Sequence, residues 1–124
     1  MGDKLSPTNP TLEELIKLIR EFVRERDWEQ FNRPLTLAIS AQIEMGELLE
    51  LFQWKTEKEI QEDLKNKKYQ DRIGEELSDV LVYLLRIADT SGIDLSEALL
   101  KKMERNREKY PIDKWKGKAP RKLD

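Results

Sequence analysis

The chain contains neither cysteine nor histidine. Without thiols it forms no disulfide, offers no thiolate to a metal and has no cysteine nucleophile. Without imidazole it lacks a Ser-His-Asp triad and the Glu-x-x-His motif of di-iron bundles. Any metal would be held by oxygen, which selects Mg²⁺, Mn²⁺ or Ca²⁺. Long apolar runs are missing too: none nears the roughly 20 residues of a membrane span. The opening Met-Gly-Asp-Lys-Leu-Ser-Pro has no apolar core of a secretory leader. A soluble, cytoplasmic protein with no membrane partner is expected. The net charge of −2 gives no electrostatic case for a nucleic-acid polymer as partner.

What is present is charge, on 39% of 124 residues, against 38% hydrophobic ones and a mean hydropathy of −0.75. The length fits one domain. A chain this polar folds if its apolar residues are segregated onto faces, and oligomerisation can add to its core. The pattern is helical throughout, with no convincing strand. Residues 1–10 read as a flexible lead-in, 11–111 as a single helical domain, and 112–124 as a basic, mobile tail.

Thr11-Leu-Glu-Glu14 is a capping box that opens a helix to about Arg26. Leu12, Leu15, Ile16, Ile19, Phe22 and Val23 supply its apolar spacing. Pro34 suits the first turn of a second helix, over about 35–52. That helix carries two apolar stripes, one through Leu35, Ile39 and Leu49, the other through Leu37, Ala41, Leu48 and Leu51. A helix apolar on two sides is central in its fold. Thr56-Glu-Lys-Glu59 opens a short charged helix to about Asn66, and 65–68 is read as an exposed bend. A third long helix is expected over 71–90, with a wide core face from Ile73 through Leu77, Val80, Leu81, Leu84 and Leu85 to Ala88. Gly92 suits the left-handed position after it. Asp94-Leu-Ser-Glu97 reads as a third capping box, opening a helix that Pro111 stops. The expected fold is all-α, of four-helix-bundle type with a short extra helix.

Two acidic motifs interrupt the most apolar helices. Glu44-Met-Gly-Glu47 and Glu76-Leu-Ser-Asp79 each place two carboxylates on one helix face. Ile43, Leu48, Leu77 and Val80 flank them. If the two helices pack antiparallel, four carboxylates meet, repel one another and resist desolvation. A divalent ion with oxygen ligands would neutralise them, and Mg²⁺ favours a few carboxylates plus substrate phosphates. The reaction class this points to is metal-assisted hydrolysis of a phosphate compound. Glu75, adjacent to Glu76 and four residues before Asp79, competes for the same role on spacing alone. On the fourth long helix Lys102, Arg105, Asn106 and Lys109 form a basic and amide stripe able to neutralise a polyphosphate. Trp28 and Trp54 sit at helix–loop junctions, where base stacking is one use of an aromatic and sealing a core another.

Four segments together resemble the all-α nucleotide pyrophosphohydrolases of the MazG-like superfamily, most like their dCTP pyrophosphatase branch. They are Phe22-Val-Arg-Glu-Arg-Asp-Trp-Glu-Gln-Phe31, the stretch from Glu44 to Lys55, Glu75-Glu-Leu-Ser-Asp-Val-Leu-Val-Tyr83, and the stretch from Lys102 to Pro111. The resemblance spans roughly 12–115. It implies a homo-oligomer, dimer or tetramer, that hydrolyses a (deoxy)nucleoside triphosphate to monophosphate and pyrophosphate with Mg²⁺, Mn²⁺ being an alternative. It assigns the metal and catalytic carboxylates to Glu44, Glu47, Glu76 and Asp79, and so favours Glu76 over Glu75. Trp28, Trp54 and Tyr83 fall at base-pocket positions, and Lys102, Asn106 and Lys109 at phosphate contacts. Where such relatives often carry histidine, after Phe31, this chain has Asn32, which leaves base preference open. The expected substrate is dCTP or a modified dCTP, in nucleotide-pool house-cleaning. The alternatives are a hydrolase of another nucleotide such as dUTP, or a non-catalytic helical interaction protein.

Overall fold

The computed structural model describes residues 9–121, all in helices, turns and loops. The chain divides into two compact units, 1–93 and 94–124. Most of the expected lead-in, 1–8, lies outside the described residues. No helix among the described residues is long and apolar enough to cross a membrane.

In the first unit, α1 (Leu12–Glu25) starts at the expected capping box: Thr11 Oγ1 accepts from the Glu14 N–H at 3.1 Å, and Glu14 Oε1 accepts from the Thr11 N–H at 3.0 Å. It buries Ile16 and Val23. Asp27 (φ 53°) turns the chain, in a left-handed conformation that aspartate tolerates. A 3₁₀ turn over Glu29–Phe31 follows. Helix α2 (Pro34–Glu50) begins with proline in its first turn and ends two residues short of expectation, in a turn that closes at Trp54 (φ 65°). Helix α3 (Glu57–Asp63) has the second complete capping box, on Thr56 and Glu59.

Helix α4 (Lys67–Thr90) starts one turn earlier than the pattern predicts. The expected bend instead holds its cap: Asn66 Oδ1 accepts from the Lys68 N–H at 2.9 Å, and Lys67 pairs with Asp71 four residues on. Two hydrogen bonds fix α4 antiparallel to α2. Tyr69, near the start of α4, donates to the Leu51 carbonyl just past the end of α2. Arg86, near the end of α4, donates to Asn32, just before α2 begins.

Helix α2 packs chiefly on α4, and α1 packs on α4. Of the two stripes on α2, Leu37, Ala41 and Leu48 are buried, while Leu35 (75% exposed), Ile39 and Leu49 stay open. The buried face of α4 is narrower than its apolar pattern. Val80, Leu85 and Ala88 are buried, Leu77, Leu81 and Leu84 are exposed, and a charged residue, Arg86, joins the core. Gly92 takes the left-handed conformation (φ 68°) that ends the unit's last helix.

In the second unit, α5 (Leu95–Lys109) is capped by Asp94, which accepts from the Glu97 N–H at 3.0 Å. The capping is one-way, since the Glu97 carboxylate pairs with Lys101 at 2.7 Å instead of reaching back. Beyond Pro111 the expected tail forms one helical turn, α6 (Ile112–Trp115), with Trp115 packed edge-on against Tyr110 at 5.2 Å.

Candidate metal centre and the adjoining cavity

Antiparallel packing of α2 on α4 brings acidic side chains of both helices to one place. Glu44, Glu47 and Glu76 each offer a carboxylate oxygen, all within 4.8 Å of one another. Glu44 and Glu76 are half-buried and Glu47 is exposed. Glu44 Oε2 and Glu76 Oε2 are buried with no hydrogen-bond partner. A buried carboxylate oxygen without a donor is costly, because burial removes its water and nothing replaces it. Burial is the first cause that pushes the Glu44 carboxyl above the ordinary range, followed by the close approach of Glu47 and by repulsion from Glu47, Asp79 and Glu76. Glu76 is raised likewise, by burial first and then by Glu47 and Asp79, with Arg72 opposing. Hard oxygen donors, crowded and unsatisfied, fit a divalent cation such as Mg²⁺.

Asp79, exposed and one turn beyond Glu76, lies outside the tight group of three, yet its charge acts on both Glu44 and Glu76. Glu75, the neighbour of Glu76, points away from this group. Its side chain is 71% exposed and faces Arg72 at 4.0 Å.

Asp79 also lines a cavity of about 500 Å³ between α1 and α4. Phe22, Trp28, Val82 and Tyr83 form much of its apolar wall, and Asn32 and Arg86 its polar part. Trp28 stands edge-on to Phe22, with ring centroids 5.9 Å apart. Asn32 joins this wall to α4: its Nδ2 donates to the Trp28 carbonyl at 2.8 Å, and its Oδ1 accepts from Arg86 Nε at 2.8 Å. Arg86 Nη1 donates to Asp89 Oδ2 at 2.7 Å, and Asp89 also receives Arg20 through two bonds of 2.6 and 2.9 Å.

Trp54 does not line this cavity and is 91% exposed. Lys102, Asn106 and Lys109 belong to α5 in the second unit. There Asn106 is half-buried with its amide directed at Met103 Sδ, and Lys109 lies over the Tyr110 ring at 5.4 Å. Sequence reasoning passed over Arg86, Asp89 and Arg20. The available signal was a single arginine interrupting Leu84-Leu85 and Ile87-Ala88, with an aspartate three residues on.

The fold is thus all-helical, and it crowds glutamates from two antiparallel helices beside a cavity with an aromatic wall. A profile of the MazG-like family matches residues 39–120. dCTP pyrophosphatase 1 from Mus musculus is 43% identical over 121 residues, 98% of this chain and 71% of its own. That from Homo sapiens is 47% identical over 102 residues, 82% of this chain and 60% of its own. Among solved structures, a pyrophosphatase from Archaeoglobus fulgidus superposes with a TM-score of 0.75 at 41% identity, covering 87% of this chain and 99% of that one. The chain belongs to the MazG-like family.

Proposed function

We propose that this chain is a divalent-cation-dependent nucleoside triphosphate pyrophosphohydrolase that converts dCTP, or a modified dCTP, to the monophosphate and pyrophosphate. One observation carries the reading: two buried, partnerless carboxylate oxygens in a cluster whose neighbour Asp79 also lines an aromatic-walled cavity. Similarity to proteins named dCTP pyrophosphatase 1 supports the substrate.

In this reading Glu44, Glu47 and Glu76, with Asp79 beside them, would hold Mg²⁺ or Mn²⁺. When bound, the ion neutralises the carboxylates and draws charge from the phosphate oxygens. Glu47 orients a water and accepts its proton. The water oxygen bonds to the α-phosphorus as the bond from that phosphorus to the bridging oxygen breaks, and pyrophosphate leaves with the electron pair. Trp28 stacks on the base with Tyr83 nearby. Lys102, Asn106 and Lys109 are the proposed phosphate contacts. The open apolar stripe of α2 and the exposed leucines of α4 support assembly as a homo-oligomer, dimer or tetramer.

The deciding assay is a panel of deoxynucleoside triphosphates with Mg²⁺ or Mn²⁺, scored for pyrophosphate against orthophosphate. Glu47→Gln and Asp79→Asn should abolish pyrophosphate release while circular dichroism stays unchanged. Undiminished release from both variants would refute the assignment. Failure of a nonhydrolysable analogue with Mg²⁺ to raise the melting temperature would favour a non-catalytic interaction protein, since a ligand specific for the native state must stabilise it.

A further inference from the structure

The cavity that ends on Asp79 carries a cation at its polar part, which the hydrolytic chemistry does not use. The Arg86 side chain is only 6% exposed, yet it lines the cavity. Of its five N–H groups, Nε is taken by Asn32 and one Nη1 hydrogen by Asp89. Nη2 donates to no acceptor among the described residues. Asp89 also binds Arg20 through two bonds, so its carboxylate is shared between two guanidinium groups and does not saturate Arg86. Asn32 is engaged on both sides of its amide, which makes it a positioning residue that fixes the guanidinium plane and ties it to the Trp28 turn. Asp79 and Arg86 are seven residues apart on α4, about 10.5 Å along the helix. The acidic and cationic parts of the cavity are thereby separated along one helix.

We propose that Arg86 is the specificity-determining residue of this cavity, and that its remaining N–H donors read a base edge presenting two adjacent acceptors, the N3 and O2 of cytosine. Uracil differs on that edge by carrying a hydrogen on N3, which would set donor against donor. A planar guanidinium held in a fixed orientation suits such a paired contact, and an ammonium does not. Asn32 alone offers no such edge, because its oxygen and one amide hydrogen are already committed. The inference rests on the pyrophosphohydrolase reading.

The test is the ratio of kcat/KM for dCTP over dUTP, in the wild type, Arg86→Lys and Arg86→Met, each checked by thermal melting. The wild type should prefer dCTP, and both variants should lose that preference by roughly 5- to 150-fold, the range a bidentate guanidinium–base pair commands. A purely structural Arg86 would lower the melting temperature and leave the ratio unchanged, and that result overturns the proposal. A substrate-side arm needs no variant: 3-deaza-dCTP, which lacks the N3 acceptor, should be a poorer wild-type substrate than dCTP by a factor in the same range. Its turnover at the dCTP rate overturns the assignment whether or not the variants fold, as does a wild type indifferent between dCTP and dUTP. Absence of pyrophosphate release from every triphosphate defeats the functional reading itself. Release with an unaltered ratio defeats only the role given to Arg86.

Discussion

Replacing Asp89 with alanine should be the most destabilising single substitution in the first unit outside its apolar core. The Asp89 side chain is 16% exposed and receives three charge-assisted bonds, two from Arg20 and one from Arg86. Their contributions are unequal. Arg20 is 39% exposed, so water screens its arm of the network and about 0–1 kcal/mol is the expected share. Arg86 is 6% exposed, and removing its carboxylate leaves a buried charge held by one neutral amide. Breaking a buried pair in this way costs about 3–5 kcal/mol. For a domain of this size that corresponds to a fall in Tm on the order of 10–20 °C. Circular dichroism melts at fixed protein concentration would measure it, since any self-association would also raise Tm. A loss below about 1 kcal/mol would show that the pair is worth no more than an exposed ion pair and that the network is not a core element.

The same residue gives a pH dependence of definite sign. The Arg20 hydrogen bond, ahead of the charges of Arg20 and Arg86, holds the Asp89 carboxyl below its ordinary range. A carboxylate depressed in the folded state adds stability that is complete above its unfolded pKa, about 3.9, and is lost as pH falls through the lower folded value. The stability gap between wild type and Asp89→Asn should therefore be constant at neutral pH and shrink below about pH 4. A gap that stays constant down to pH 2 would contradict the assignment.

Three further outcomes follow from the geometry. Trp28→Ala should raise KM for the nucleotide by roughly 5- to 150-fold, with the fold retained, if its ring stacks on the base; steady-state kinetics with and without the substitution decide. Ile39→Glu on the open stripe of α2 should lower the mass seen by light scattering, since it places a charge in an apolar patch that a second copy would cover. Glu76→Gln should stabilise the cation-free protein near neutral pH and abolish the upward melting shift with Mg²⁺. The sign follows because a raised folded pKa gives stability that is complete below the unfolded value and lost as pH rises through the folded one.

The elements most legible in the sequence were those with local causes. The capping boxes at Thr11 and Thr56 form as the residues dictate, because hydroxyl, N–H and carboxylate are all within three residues. So do proline in the first turn of α2 and the left-handed Gly92. The misses had distant or competing causes. Helix α4 starts at Lys67 because Asn66 caps it, although the charged run there looks like a bend. Glu97 does not complete its box because Lys101 takes its carboxylate. Periodicity marks Leu77, Leu81 and Leu84 as apolar without saying whether this chain or another copy covers them.

Spacing alone could not choose between Glu75 and Glu76, since adjacent residues differ by only about 100° around a helix. Tertiary structure separates the two, turning Glu75 to Arg72 and Glu76 to Glu44 and Glu47. The Arg86 network was hidden for a stronger reason. Its acceptor Asn32 is 54 residues away and Arg20 meets Asp89 across 69. No pattern within one helix reports such pairs. Yet the same network decides what the position after Phe31 can do. Read in isolation, Asn32 is a substituted base reader. In the folded chain its amide is committed to Trp28 and Arg86, so the polar edge presented to a ligand is that of the arginine two turns along α4 from Asp79. On the proposed reading, base preference turns on Arg86, a charged residue that interrupts an apolar run and lies outside the core face that helical spacing marks.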